Sequence, residues 1–460
     1  MSLKSPGDNQ LPGPRSNGRR ILFANFPADG HFNPLTGLAV HLKQAGYDVR
    51  WYTSRSYAGK LRKLDIIHFP FIRALDVEGN NFDRVFPERA AKKTQLSKLN
   101  FDMIHAFILR GPEYFGDLQE IYESFPFDIL IADNAFTGIP FVKEKMNIPV
   151  IAIGVLPLVE TSKDLAPPGI GMTPSAGILG RLKQDILRFL ADHILFGKPN
   201  RVMRKILDEF NIPHNGENIF DLGVTKSNLF LQSGTPGFEY KRSDLGENIR
   251  FIGALLPFKG NKSISEWHDP RINLYDKVIL VTQGTVEKDA SKIIEPTLEA
   301  FKDSNYLVVA TTGGSQTDEL RAKYPQRNFI IEDFIPFDDV MPYADLYITN
   351  GGYGGVMLGI EHGLPLVVAG IHEGKNEINA RVGYFNLGIN LKSERPTPEA
   401  LSKAAESVFS NGVYRQNVEE LAEEFTRYNP AKLVEGYVTS LLPKVSKVPF
   451  IPMRTEERVY

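Results

Sequence analysis

Two doubly wound α/β domains with mostly parallel sheets, facing a common cleft, are predicted by three observations. Short apolar runs alternate with amphipathic helical segments, the alternation breaks between Gly253 and Asp276, and both halves carry glycine-containing turns directly after strands. The expected organisation is a flexible tail at 1–19, a first domain at 20–252, a linker at 253–275, a second domain at 276–430, and a helix with tail at 431–460. In the first half Ile21–Asn25 is apolar throughout, as a strand covered on both faces should be. Leu35–Ala45 then sets Leu35, Leu38, Ala39 and Leu42 on one helical face, with Pro34 in the first turn and Gly46 as the stop. Val49–Thr53, Ile129–Ala132 and Val150–Ile153 read as further strands, and 84–124 as mainly helical with breaks at Pro87, Gly111 and Pro112. The second half offers strands at Val278–Val281, Leu307–Ala310, Phe329–Ile331, Leu346–Thr349 and Leu366–Ala369. Helices are expected at Asp289–Phe301 and Ala431–Leu442.

Charge and composition exclude several classes. Lys plus Arg number 53 against 55 Asp plus Glu, a formal charge of −2, so a broad basic surface for nucleic acid is not expected. There is no cysteine, which removes disulfides, iron–sulfur clusters, zinc–thiolate sites and thiol catalysis. No stretch approaches the ~20 apolar residues of a membrane span. The longest, Ile148–Val159, is interrupted by Pro149, Gly154 and Pro157. The first 20 residues lack the apolar core of a secretory signal. A soluble, cytoplasmic protein with no integral membrane segment is expected. No cluster of carboxylates or histidines has metal-ligand spacing, so no metal is expected.

Four motifs could carry chemistry. In Phe26–Pro34 (FPADGHFNP), His31 follows the first strand, where ligands collect at a sheet's carboxyl edge. It reads either as a general base or as a surface or capping histidine. Asp133 ends another strand of the same sheet and could orient that imidazole, or cap the helix that follows. In Thr282-Gln-Gly-Thr285, Gly284 and Thr285 would let backbone and hydroxyl approach a phosphate; the alternative is a strand-ending turn. Asn350-Gly-Gly-Tyr-Gly-Gly355 lies between a strand and a helix. Its Gly351, Gly352, Gly354 and Gly355 leave N–H groups open at a helix N-terminus, which suits a diphosphate, although the dinucleotide spacing G-x-G-x-x-G is absent. Two softer regions are Ala166–Gly180, a Pro/Gly-rich loop over a pocket or a plain connector, and Arg84–Phe115, whose aromatics and Met line an apolar pocket or fill a core. Phe86, Phe107 and Met172 are the acceptor-contact candidates from these two regions.

Taken together, these elements resemble the family 1 glycosyltransferases, nucleotide-sugar enzymes of GT-B architecture, over roughly Arg20 to Leu442. GHFNP is similar to the family's GH-x-x-P, whose histidine is the catalytic base, and Asp133 matches the aspartate partner. Phe334–Glu377 is similar to the donor-binding signature. Within it Phe334 and Phe337 stand where Trp and Gln open the motif, Asn350 replaces the diphosphate histidine, and Leu358 replaces the ribose-binding Glu. The acidic-Gln pair falls at Gly374 and Lys375, with Glu373 and Asn376 alongside. The resemblance thus implies a donor site of Gly284, Thr285, Phe334, Phe337, Asn350, the four loop glycines, Glu373 and Lys375, filled by a UDP- or dTDP-sugar, with no other cofactor. It also implies that the final helix packs back on the first domain.

The reaction so implied is an inverting hexose transfer to a hydroxyl of a small, partly apolar acceptor such as a phenolic or flavonoid, terpenoid or macrolide, by a monomer or weak homodimer. Rival expectations are a catalytically silent nucleotide-sugar-binding activator, a nucleotide-sugar epimerase on the same architecture, and a lipid-acceptor transferase at a membrane surface. The last would need an exposed basic or apolar patch on the first domain, and none stands out from the sequence.

Overall fold

Ile21, Leu22, Phe23 and Ala24 are all fully buried, which leaves a parallel strand one stable place, the middle of a sheet covered on both faces. The computed structural model, which describes residues 18–77, 82–175, 177–258, 267–284, 287–372 and 374–442, puts it there. The first sheet holds β1 (Arg20–Ala24), β2 (Asp48–Thr53), β3 (Ile67–Pro70), β4 (Ile129–Asp133), β5 (Val150–Gly154), β6 (Leu229–Gln232) and β7 (Ile249–Phe251). Its order is β3-β2-β1-β4-β5-β6-β7, and every pair is parallel. The second holds β8 (Lys277–Thr282), β9 (Tyr306–Thr311), β10 (Phe329–Glu332), β11 (Leu346–Thr349), β12 (Leu366–Val368) and β13 (Gly388–Asn390), ordered β10-β9-β8-β11-β12-β13 and again all parallel.

In each sheet the order reverses once, between β1 and β4 and between β8 and β11. At such a point the loops leaving the two strands diverge to opposite faces and open a crevice at the carboxyl ends. All four motifs singled out above emerge from these four strands.

Each sheet is buried by an apolar layer on either side. One layer of the first sheet includes Val434, Val438 and Leu442, so the C-terminal helix Pro430–Leu441 packs on the first domain. There Glu435 accepts from His41 Nε2 at 2.8 Å. Elsewhere the two halves are bolted together by polar contacts. Tyr353 donates its hydroxyl to the carbonyl of Ser233 at 2.7 Å, and Gly237 N–H donates to Glu424 at 3.0 Å.

Several expectations are corrected. The first helix begins at Asp29, not Leu35, so His31 and Pro34 lie inside helix Asp29–Gln44 rather than in a preceding turn. Pro34 is its sixth residue, where only the bond to the Gly30 carbonyl is forfeited. Strands β3, β6, β7 and β13 were not expected. Gly111 and Pro112 open helix Arg110–Ser124 instead of breaking one, and Gly111 is needed there because a Cβ would lie 2.9 Å from the Phe141 ring. Helix Ile294–Phe301 starts five residues late. The Pro/Gly segment gives way to helix Ile178–Leu190, which runs on through a π-helical turn, Ala191–Leu195, into helix Gly197–Glu209. The expected tails up to residue 17 and from 443 lie outside the described residues, as do 259–266 of the expected linker.

Candidate active site

β1 and β4 are hydrogen-bonded neighbours, with Ala24 paired to Ala132, so the residues that leave their carboxyl ends must meet. Asn25, fully buried, fixes the first exit: its side-chain N–H donates to the Phe26 carbonyl at 2.6 Å and its Oδ1 accepts from Trp51 Nε1 at 2.7 Å. The chain then turns into helix Asp29–Gln44, whose first turn carries His31. Asp133 ends β4 with no exposed surface. Its Oδ2 accepts the Phe26 N–H at 2.7 Å, and its Oδ1 accepts the Ala135 N–H at 2.9 Å and lies 2.7 Å from His31 Nδ1.

A carboxylate already receiving two backbone N–H groups is an acceptor only, so Nδ1 carries the proton and Nε2 presents its lone pair. The His31 side chain keeps 19% of its surface exposed, and no described residue bonds Nε2. This is the arrangement of an oriented general base, in which the buried carboxylate fixes the tautomer and compensates an imidazolium.

Beside the imidazole an aromatic wall rises. The Phe26 ring meets His31 edge-on at 5.6 Å and stacks on Phe107 at 4.4 Å. Phe107 therefore reaches the site through Phe26. Phe86 does not: it is 8% exposed, packs edge-on to Phe101, and belongs to the small cluster against which Phe107 rests. Its acceptor-contact expectation is corrected to a core role. Met172 sits half-buried in the Pro/Gly segment, which is pinned across the cleft. Gly169 and Gly171 N–H both donate to Glu377 Oε1, at 2.9 and 2.7 Å, and Asn376 Nδ2 donates to the Gly169 carbonyl at 2.7 Å.

The second crevice is built the same way. β8 and β11 are neighbours, with Thr282 paired to Thr349, and the turns after both meet where the Asn350 side chain donates to the Gln283 carbonyl. Gly284 has φ +77° and Gly351 φ +81°, conformations that favour glycine. At Gly351 a Cβ would fall 1.8 Å from Asn379 Oδ1, so this glycine also lets the loop pass close against Asn379, whose Nδ2 donates to the Gly370 carbonyl at 3.0 Å. Gly352 is the N-cap of helix Tyr353–Glu361, whose first turn includes Gly354 and Gly355. A Cβ at Gly354 would meet nothing within 4 Å, so the N-terminus is bare on that side. The Gly352 N–H donates to Asn350 Oδ1 at 3.3 Å, and the first-turn N–H groups beyond it together with the helix dipole make this end fit for an anion.

Lys375 opens helix Lys375–Tyr384 and, with Asn350, Gln283, Glu287, Lys292 and Glu394, lines one small cavity beside this turn. Phe334 is 68% exposed and lies 3.5 Å from where a Gly314 Cβ would stand, a free ring beside the turn after β9. Phe337, the other donor-site candidate of this segment, starts a short helix and is half-buried against the second-domain core. Thr285 and Glu373 lie outside the described residues. Among the described residues no group of three or more His, Asp or Glu could hold a metal ion, and no helix is long and apolar enough to cross a membrane.

Asn25, Phe26 and Tyr353 are site supports that sequence reasoning missed. Tyr353 bridges from the glycine loop to Ser233, just beyond β6, and so brings the carboxyl edges of the two sheets together.

Comparison with known proteins gives this geometry its family. Residues 297–453 match the model described as Erythromycin biosynthesis protein CIII-like, C-terminal domain. The chain is 32% identical over 426 residues, 92% of its length and 100% of the relative's, to 4'-demethylrebeccamycin synthase of Lentzea aerocolonigenes. The chain belongs to the family 1 glycosyltransferases. UDP-glycosyltransferase 2 of Phaeomoniella chlamydospora is 30% identical over 427 residues, covering 88% of this chain and 92% of that one. The GT-B fold is shared with the solved glycosyltransferase of kitacinnamycin (TM-score 0.71, 19% identity, 92% of this chain and 99% of that one). It is shared equally with the calicheamicin glycosyltransferase CalG4 (TM-score 0.71, 18% identity, 93% and 99%). As a member of this family the protein is a sugar-transferring enzyme that draws on a nucleotide sugar.

Proposed function

We propose that this glycosyltransferase moves a hexose, with inversion, from a UDP- or dTDP-sugar to a hydroxyl of a small, partly apolar natural product, such as a phenolic, terpenoid or macrolide. The observation that carries the reading is the 2.7 Å contact between His31 Nδ1 and buried Asp133, with Nε2 left free at the β1/β4 switch point. In this reading His31 Nε2 takes the proton of the acceptor hydroxyl as its oxygen forms the new bond to the anomeric carbon. The bond from that carbon to the diphosphate breaks on the opposite face, and the leaving charge falls on the N–H groups of 351–355, with Asn350 and Lys375 beside them. Asp133 stabilises the imidazolium so formed.

The Phe26–Phe107 wall supports a flat or apolar acceptor, and the exposed Phe334 ring supports stacking on a nucleobase. The relatives named as UDP-glycosyltransferase and UDP-glucosyltransferase favour a UDP-sugar, and the relative named 4'-demethylrebeccamycin synthase favours a natural-product acceptor.

The test is a panel of UDP- and dTDP-hexoses against mixed phenolic, terpenoid and macrolide acceptors, read by mass. A donor-dependent hexose adduct that His31→Ala abolishes supports the proposal. Binding without turnover would point to an activator, and donor consumption without acceptor to an epimerase.

A further inference from the structure

Helix Ile178–Leu190 is amphipathic with its sides reversed. The face it turns to the protein is polar: Gln184 is fully buried, and the Arg188 guanidinium donates to the Leu165 carbonyl. The face it turns to water is apolar. Ile178 and Leu179 are 88% and 83% exposed, and Leu182, Ile186, Phe189 and, in the following turn, Ile194 are each more than half exposed. At about 3.6 residues per turn these positions share one side of the helix. The Arg188 bond to Leu165 ties the inner face to the first domain and keeps the apolar side turned outward. Single exposed Leu or Ile side chains are ordinary on a soluble protein, whereas a contiguous stripe marks an interaction surface.

The charge around the stripe selects the partner. From Ile178 to Glu209 seven Lys and Arg stand against four Asp and Glu, in a chain whose formal charge is −2. Three of the acids have local partners, Asp185 with Arg188, Asp208 with the His214 imidazole at 3.0 Å and Glu209 with Lys205 at 3.6 Å. Exposed Arg181, Lys183, Lys198 and Arg201 have no carboxylate ion-paired to them among the described residues. A further cation, Lys92, lies 5.0 Å from the Phe101 ring, which stacks on His105 at 4.1 Å. Lys198 also acts on His105, whose imidazole is held below its ordinary value by burial first and by Arg110, Lys198 and Lys92 against the opposing Glu88. The basic rim thus continues onto the neighbouring helices. Two copies of such a face would repel each other, while an anionic surface would attract it.

We infer that helix Ile178–Leu190 is an interfacial helix that docks the first domain onto an anionic lipid surface, its apolar stripe among the acyl chains and its basic rim among the headgroups. This overturns the expectation that the first domain lacks an apolar or basic patch. It does not depend on the transfer reaction. The helix begins seven residues after Gly171, which lies in the segment that Glu377 holds over the cleft, so a docked enzyme would bring that segment near the membrane.

The experiment is co-sedimentation of the full chain with phosphatidylcholine vesicles with and without phosphatidylglycerol. The wild type should pellet with the anionic vesicles only, and added salt should release it. L182E/F189E should stay in the supernatant with an unchanged melting temperature, because both side chains are already in water. R181Q/K183Q should lower partitioning by about 30-fold, two charges at the per-residue strength of a polybasic contact. The inference is overturned if the wild type ignores both vesicle types or binds both alike. It is equally overturned if L182E/F189E merely converts a stable dimer to a monomer, which would give the face to a second copy of the chain.

Discussion

Arg381 Nη2 lies 2.9 Å from Glu239 Oε2, and this buried pair joins a helix of the second domain to the segment following β6 of the first. Burial presses the Arg381 guanidinium toward neutrality, but Glu239, Tyr240 and Glu377 outweigh it and leave its pKa raised. The same guanidinium holds Glu377 at 3.0 Å, and Glu377 in turn holds the loop at Gly169 and Gly171. Arg381→Met strands a carboxylate that is 5% exposed and should cost about 3–5 kcal/mol, measured by denaturant unfolding. Adding Glu239→Met should restore part of the loss, since it removes the stranded charge while taking the acceptor from the buried Leu158 N–H and a neighbouring carboxylate from Arg242. A double variant weaker than R381M would refute this account.

His31→Ala should lower kcat on an alcohol acceptor by about 10²–10⁴-fold with a smaller effect on melting temperature, because buried Asp133 loses the imidazole but keeps the Phe26 and Ala135 N–H donors. Asp133→Asn should behave differently. Its carboxylate serves two N–H groups and the imidazole at once, and an amide NH₂ can face none of these donors without clash of polarity. Both turnover and melting temperature should therefore fall. If D133N lost rate alone, the backbone role of this carboxylate would be wrong.

The strands legible in the sequence are those buried on both faces. β1, β4, β8 and β11 are unbroken apolar runs, and the two switch points are made of these strands. That is why His31, Asp133, Gly284 and the Asn350 loop, which leave these strands, stand out in the sequence as candidates. The short strands at the sheet edges left little signal: β3 is Ile-His-Phe-Pro, β7 is Ile-Arg-Phe, and β13 has three residues. Pro34 masked the true helix start, since a proline reads as a first-turn signal yet is tolerated one turn further in. Periodicity could show that residues 178–194 carry an apolar stripe but not which side the protein covers, and only the burial of Gln184 settles that. For the same reason the sequence does not separate Phe334, whose ring is exposed, from Phe337, which is half-buried against the second-domain core.

Asp221 gives a pH dependence. Burial raises its pKa above the ordinary carboxylate value near 4, reinforced by Asp192 and Glu217 and only partly offset by hydrogen bonds from Thr161. A raised native pKa means stability that is fully present below the unfolded value and lost as pH climbs through the native one. Asp221→Asn keeps an acceptor for the Thr161 N–H, now at 2.7 Å, and cannot ionise. Variant and wild type should melt together near pH 4, and the variant should melt higher at neutral pH. A gap that does not change with pH would exclude ionisation of Asp221 as its cause.

The two loop glycines Gly351 and Gly354 separate folding from donor binding. Gly351→Ala meets both a positive φ and Asn379 Oδ1 at 1.8 Å, so the loop must shift and the melting temperature should drop. Gly354→Ala meets nothing within 4 Å and adds helix propensity in the first turn of Tyr353–Glu361, worth up to about 1 kcal/mol. G354A should therefore fold at least as well as the wild type. If the diphosphate lies against those first-turn N–H groups, its new methyl occupies the donor's own space and KM for the nucleotide sugar should rise at least tenfold with little change for the acceptor. An unaltered donor KM in a well-folded G354A would move the diphosphate away from this helix end, and the donor assignment with it.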